Sequence, residues 1–289
     1  MVTERIRRGR ALGRASLAVL KSHPRLMVFP VIAGVALLAL TALVAGPVVA
    51  GMARIPDDDA IPTPLLTGAI LGAVVWYFGC AFVIVFGNAA LISCALATFA
   101  GDKPTVAAGF VAAGRRAPQI LGWSALAATV GLVFQILDAV SDKINLIGQI
   151  IEGLARGAWA VVTYFALPVL VVEGLGPISA VKRSSAILRK TWGESLTGSV
   201  GIGLRIGLFA LPLFALIAVL ASGSGGHSLR VGLGVIAAVY AVALAVVAAT
   251  LSAILRATLY DYATTGTAPG PMSPELLQSA FVGRAYHPR

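Results

Sequence analysis

Six long apolar segments, separated by short polar stretches, restrict the possible folds of this chain more than any other feature of its sequence. They cover about 27–51, 65–99, 119–139, 148–172, 196–221 and 231–255. A helix needs about 20 predominantly apolar residues to cross the hydrocarbon core of a bilayer, and each segment reaches that length. The sequence therefore predicts an all-α membrane protein with six transmembrane helices.

The composition agrees with this class of protein. The chain is 58% hydrophobic and 12% charged, whereas a soluble globular domain carries about 25% charged residues. Its net charge of +10 could indicate a nucleic-acid-binding protein, but the basic residues border the apolar segments instead of forming a patch on a soluble domain. We therefore expect membrane lipids as partners, and no nucleic acid.

The distribution of Lys and Arg predicts the orientation in the membrane. Of the 22 such residues, 17 lie before the first segment, after the last one, or in the stretches 101–118 and 173–195, and three lie in the other loops. Cytoplasmic loops carry the excess of Lys and Arg. We therefore expect a multi-pass protein of the cell membrane with both termini in the cytoplasm.

Three regions follow from this topology. Residues 1–26 are rich in arginine and predict a cytoplasmic basic amphipathic helix, which is not a signal peptide because the apolar run after it is too long. Residues 27–268 form the six-span domain. Residues 269–289 form a proline-containing cytoplasmic tail that we expect to be poorly ordered.

The stretch between the fourth and fifth segments predicts a short amphipathic helix in the membrane interface. Gly176-Pro177 is a helix start signal. Apolar and small residues then recur on one predicted face, at Ile178, Val181, Ser185, Leu188 and Trp192. Basic helices with such a stripe lie at headgroup level. The residues expected to bind anionic lipid or a protein partner are Lys182, Arg183, Arg189, Lys190 and Trp192, with Arg115 and Arg116 on the same side of the membrane.

Polar residues within or beside the apolar segments are the other candidate functional residues, since charge is costly in lipid. Glu152 and Arg156 are spaced to pair on one helix face; this pair is either an interfacial ion pair or part of a solute or proton path. Arg205 either reaches the headgroups or binds an acid or an anionic headgroup. Glu173 is expected to pair with a nearby cation, either Lys182, Arg183 or Arg256. Asn88 is expected to bond to a neighbouring helix or to mark a helix break that lines a cavity.

Cysteine and histidine predict neither a disulfide nor a metal site. Cys80 and Cys94 lie in one segment, and 14 residues of helix separate their Cα atoms by about 21 Å, which is too far for a disulfide. The three histidines are isolated. The sequence contains no familiar catalytic motif, so we expect no cofactor and no enzymatic activity.

Two parts of the chain resemble a prokaryotic family of six-span integral membrane proteins whose domain has no known function. One part is Leu167–Gly174 with Pro177–Ser184 and Lys190–Gly193, and the other is Arg256–Gly266. The resemblance covers about residues 10–268 and implies the same six-span fold. The chain is more distantly similar to the membrane domain of some glycerophosphodiester phosphodiesterases, but it has no catalytic domain, so that activity is not implied.

Three functional classes are compatible with these features. The first is a non-enzymatic membrane protein whose cytoplasmic basic helices engage anionic lipid, a protein partner or a second copy. The alternative is a small-molecule transporter or channel, in which Asn88, Glu152, Arg156 and Arg205 would converge on one aqueous cavity. The third is an enzyme acting on lipid headgroups, which would require several acids or histidines clustered at one interface.

Overall fold

A computed structural model of the chain describes residues 17–56, 61–141, 146–191, 210–217 and 227–267. Within these ranges the regular secondary structure is helical and includes no strand. The chain divides into two compact units. The first consists of 28–94 and 104–186, and the second consists of 95–103 together with the chain before 28 and after 186.

Eight helices provide the framework of the described residues. They are α1 (Val28–Met52), α2 (Thr63–Phe99), α3 (Val106–Gly114), α4 (Ala117–Ser141), α5 (Leu146–Val162), α6 (Ala166–Glu173), α7 (Pro177–Thr191) and α8 (His227–Thr265). A 3₁₀ turn at Pro24–Met27 precedes them, and residues 17–22 and 210–217 are also helical.

Five segments within the described ranges are long and apolar enough to cross a membrane. They are Pro24–Met52, Thr63–Phe99, Ala117–Ala139, Gly148–Glu173 and Ser228–Thr265. The predicted fifth segment, 196–221, lies outside the described residues except for the helical stretch 210–217. Residues 1–16 and the tail 269–289 also lie outside them.

Glycines in α2 allow α1 to pack closely against it. Gly72, Gly79 and Gly87 lie against Val44, Leu40 and Ala33, in antiparallel order. A Cβ atom added at Gly87 would lie 3.0 Å from the Cβ of Ala33. Small residues are typical of close helix contacts in membranes, because they let two backbones approach.

The predicted fourth segment, 148–172, is not one continuous helix. Helix α5 ends at Val162, residues 163–165 form a turn, and α6 begins at Ala166. Pro168 explains the break, since a proline in a helix interior lacks an N–H and its ring clashes with the carbonyl four residues earlier. In the first turn of a new helix the same proline is tolerated.

Helix α2 is continuous through Asn88. The side-chain Nδ2 of Asn88 donates to the carbonyl oxygen of Ile84 in the same helix, at 3.0 Å. Of the two sequence-based expectations for this residue, the helix break was therefore wrong. The amide is instead satisfied by the preceding turn of its own helix.

Helix α8 extends ten residues beyond the predicted end of the sixth segment at 255. The extension has a buried face that includes Ala257, Leu259 and Tyr260, which explains why the helix does not end at the first charged residue. It stops at Gly266, whose φ of +74° favours glycine. The N–H of Gly266 donates to the carbonyl oxygen of Tyr262 at 2.9 Å.

The end of the predicted N-terminal helix also differs from expectation. Residues 17–22 are helical, His23 is not, and Pro24 begins the 3₁₀ turn. A residue before proline disfavours the α conformation, so the helix does not continue to residue 26. Val19 and Leu20 are buried within this short stretch.

Candidate functional site

Helix α7 follows the broken segment, and it begins at Pro177 as its sequence predicts. Its buried residues include Ala180, Ser184, Ile187 and Leu188. Ile178, which the sequence placed on the apolar face, is 67% exposed. Leu188, on the same predicted face, is 6% exposed. Small side chains at 180 and 184 turn this side of the helix inward, because they permit close packing.

Ser184 connects α7 to the break between α5 and α6. The backbone N–H of Phe165 donates to Oγ of Ser184 at 3.0 Å, and both residues are fully buried. The N–H groups at the start of a helix have no partner within it. Ser184 provides one from a different helix, and this stabilises the turn at 163–165.

Arg183, the preceding residue, contacts the other end of α6. Its Nε lies 3.0 Å from both Oε1 and Oε2 of Glu173. The Arg183 side chain is 49% exposed and that of Glu173 is 25% exposed. Adjacent residues of α7 therefore contact the two ends of the eight-residue helix α6. Arg183 is one of the three cations that the sequence predicted as partners for Glu173.

Arg116 approaches the same end of α6 from the turn between α3 and α4. Its Nε donates to the carbonyl oxygen of Val171 at 3.3 Å, and its guanidinium lies against Gly174. Gly174 has a φ of +67° and ends α6, a conformation that glycine adopts without strain. Arg115 is exposed, whereas Arg116 is half-buried.

Glu152 and Arg156 form a second charged cluster, which also includes Asp138. The Arg156 guanidinium contacts the carboxylates of both Glu152 and Asp138. It also donates to the carbonyl oxygen of Phe134 at 3.0 Å and lies 5.0 Å from the centre of that ring. The cluster thus joins α4 to α5.

Sequence reasoning missed Asp138 as a member of this cluster. It lies at the end of the third segment, where a charged residue commonly marks the exit from the membrane. The available signal was the short connection to the next segment, which brings the end of one helix beside the start of the next.

The remaining predicted site residues are only partly described. Lys182 and Arg189 are exposed on α7. Lys190 belongs to α7, but its side chain lies outside the described residues, and so do Trp192 and Arg205. Asn88 is half-buried and bonded within α2.

The described residues show no set of ligands for a metal ion. No group of three or more His, Cys, Asp or Glu side chains that could hold one occurs in these parts of the chain. Cys80 and Cys94 are not joined by a disulfide, as their spacing predicted. The Sγ of Cys94 lies 3.4 Å from the carbonyl oxygen of Thr105.

The described residues indicate an α-helical, multi-pass membrane protein. They include long apolar helices with exposed apolar side chains and few buried charges. More specifically, the chain belongs to the family of unknown function DUF6159, whose model matches residues 69–270. The family has no described activity to carry over. No curated protein and no solved structure matches the chain.

Proposed function

We propose that this protein is a six-span, non-enzymatic protein of the cell membrane that engages anionic lipid through its cytoplasmic basic helices. The observation that carries the proposal is the outer face of α7. Ile178, Lys182 and Arg189 are all exposed there, whereas the opposite side of the helix is buried.

These three residues form one stripe along α7. At 3.6 residues per turn, positions 4 and 11 residues after Ile178 point within about 40° of it. An exposed aliphatic side chain that shares a stripe with two cations is the pattern of a helix in the membrane interface, with the apolar group among acyl chains and the cations at phosphate level. Each such cation contributes about 1 kcal/mol near an anionic surface.

Charge asymmetry supports the orientation that this proposal requires. Arg115, which is exposed, and the N-terminal arginines fall on the same predicted side as α7. Both termini would be cytoplasmic, with residues 1–26 as a further basic segment and 269–289 as a tail. The sixth span in this topology is the segment 196–221. A protein partner or a second copy could share the basic surface.

The proposal is tested by the lipids that co-purify with the full chain. Native mass spectrometry would compare the wild type with Lys182→Gln/Arg189→Gln, after extraction with the surrounding membrane. A matched control is Arg54→Gln/Arg230→Gln, which removes two exposed cations from the opposite predicted side. We expect the first variant to lose anionic lipid relative to zwitterionic lipid and the control to keep it. Equal lipid content in both variants would overturn the proposal.

A small-molecule transporter or channel is the second candidate, and the interrupted fourth segment favours it. Transporters build their sites from discontinuous helices near mid-membrane. The turn at 163–165 interrupts Gly148–Glu173, and the Asp138, Glu152 and Arg156 cluster lies on the preceding part of the same hairpin.

Water access at the break distinguishes this candidate from the first. Thr163→Cys would be treated with a charged thiol reagent in membranes, beside the control Val75→Cys, which replaces an exposed side chain in the middle of α2. Reaction at position 163 but not at 75 would favour an aqueous path. Absence of reaction at both positions would count against transport through the break.

A further inference from the structure

Arg116 and Arg183 both contact the end of α6, and each has N–H donors that these contacts do not use. A guanidinium has five N–H donors. Arg183 uses Nε on Glu173, and Arg116 uses Nε on the Val171 carbonyl oxygen. Within the described residues, neither arginine has a protein acceptor on its Nη groups.

The described residues whose contacts at this corner are given above carry more positive than negative charge. Two guanidinium groups contact the consecutive residues Glu173 and Gly174. One carboxylate and the partial negative charge at the end of α6, about half an elementary charge, oppose two full positive charges. Among these residues a net positive charge therefore remains beside guanidinium donors that can bind a further acceptor.

Phosphate is the acceptor that this arrangement suits. Arginine binds phosphate oxygens through paired N–H donors, and such charged hydrogen bonds are about twice as strong as neutral ones. Arg183 is half exposed on a helix whose outer face we assign to the membrane interface, where phospholipid phosphates are concentrated.

We propose that the end of α6 is a specific binding site for the phosphate group of an anionic phospholipid, held by Arg116 and Arg183. This inference rests on the proposed function, because it requires α7 to lie at the lipid headgroups. It differs from the exposed stripe of Lys182 and Arg189, which would attract anionic lipid without selecting one molecule.

Glu173 gives the proposal a distinctive consequence. Its carboxylate occupies Nε of Arg183 and repels a phosphate at the same corner. Replacing it with glutamine keeps a hydrogen-bond acceptor for Arg183 but removes the negative charge. A bound phosphate should therefore become more stable in Glu173→Gln, although the ion pair itself is lost.

The test is a titration of the delipidated full chain with dihexanoylphosphatidylglycerol, followed by native mass spectrometry. We expect one saturable adduct. Arg183→Gln should weaken its binding about 10- to 150-fold, since a charged hydrogen bond contributes about 1.5–3 kcal/mol. Arg54→Gln is the control, an exposed arginine on the opposite predicted side of the membrane, and should change binding by less than about twofold. Glu173→Gln should strengthen binding.

Arg116→Gln should weaken binding in the same way, and Arg230→Gln is a second control, an exposed arginine on the opposite predicted side. Equal affinity for the Arg183 and Arg54 variants, or weaker binding in Glu173→Gln, would overturn the proposal. Displacement of the lipid by inorganic phosphate at equal concentration would overturn the lipid assignment.

The two proposals fail separately in these experiments. Anionic lipid that co-purifies with the wild type but not with Lys182→Gln/Arg189→Gln would support the basic surface. Identical titrations for the Arg183 and Arg54 variants would at the same time reject the specific site. A single adduct that depends on Arg183, with unchanged lipid content in the double variant, would reject the surface as the source of lipid binding.

Discussion

The buried N–H of Phe165 donates to Oγ of Ser184, which belongs to a helix that begins twelve residues later in the chain. This bond crosses from the interrupted fourth segment to α7. Together with the contact between Arg183 and Glu173, it makes the position of α6 depend on α7. A change at the outer face of α7 can therefore be transmitted to the break in the fourth segment.

Removing the Ser184 hydroxyl should destabilise the protein measurably. In Ser184→Ala the N–H of Phe165 stays buried without its acceptor, which costs about 1–3 kcal/mol. Ser185→Ala is the matched control, since Oγ of Ser185 donates to the Lys182 carbonyl oxygen within the same helix, and it should cost less than about 0.5 kcal/mol. Thermal unfolding in detergent, followed by tryptophan fluorescence, compares the two; equal midpoints would contradict this role for Ser184.

Gly109 on α3 should tolerate no side chain. A Cβ atom there would lie 2.7 Å from both Sγ of Cys94 and Cζ of Phe29, and 2.9 Å from the carbonyl oxygen of Ala90. Gly109→Ala should therefore destabilise by about 1–3 kcal/mol through overpacking. Gly114→Ala, in the same helix with nothing within 4 Å, should be neutral or stabilising. The same unfolding assay measures both variants.

The glycines of α2 should be essential only where they meet α1. Gly87→Val places a branched side chain against the Cβ of Ala33, 3.0 Å from the position of its own Cβ, so we expect a loss of about 1–3 kcal/mol. Gly68→Val makes the same change in helix propensity, but a Cβ atom there has nothing within 4 Å. A larger drop in the unfolding midpoint for the Gly87 variant supports the close contact between α1 and α2 at this position. Equal drops would show that the two helices do not pack there.

The orientation of the chain can be tested by cysteine labelling. In a background without Cys80 and Cys94, Arg54→Cys and Arg115→Cys place thiols at two exposed positions on opposite predicted sides. A membrane-impermeant maleimide should label the first variant in intact cells and the second only after lysis. Labelling of the Arg115 variant in intact cells would reverse the proposed topology.

Hydropathy predicts the membrane class because length and apolarity alone decide whether a helix can span a bilayer. It does not predict the turn at 163–165, since an interrupted apolar run is as hydrophobic as a continuous one. Pro168 was the available signal. Pro168 alone does not show that the break is stable. The break also needs Ser184, nineteen residues after Phe165, because its Oγ accepts from the N–H of Phe165 that the break leaves without a helical partner.

The sequence predicts the existence of α7 but not which side of it is buried. The apolar pattern marks Ile178 and Leu188, of which the structure buries only Leu188, together with Ala180 and Ser184. Close contacts between membrane helices depend on small residues. Hydrophobicity does not distinguish small residues at such contacts from small residues elsewhere in a helix. The pairing of Glu173 with a cation was predictable because few acidic residues lie near this end of the fourth segment.

The Arg156 cluster should show non-additive energetics. Arg156→Gln leaves the carboxylate of Glu152, whose side chain is only 10% exposed, without its main partner, so the unfolding midpoint should fall. In Glu152→Gln/Arg156→Gln both charges are absent, and much of the lost stability should return because no buried charge is left unpaired. Asp138→Asn, at a side chain that is 57% exposed, should have the smallest effect. A double-mutant cycle in the thermal unfolding assay measures the coupling, and strictly additive midpoints would show that Glu152 and Arg156 do not act as a pair.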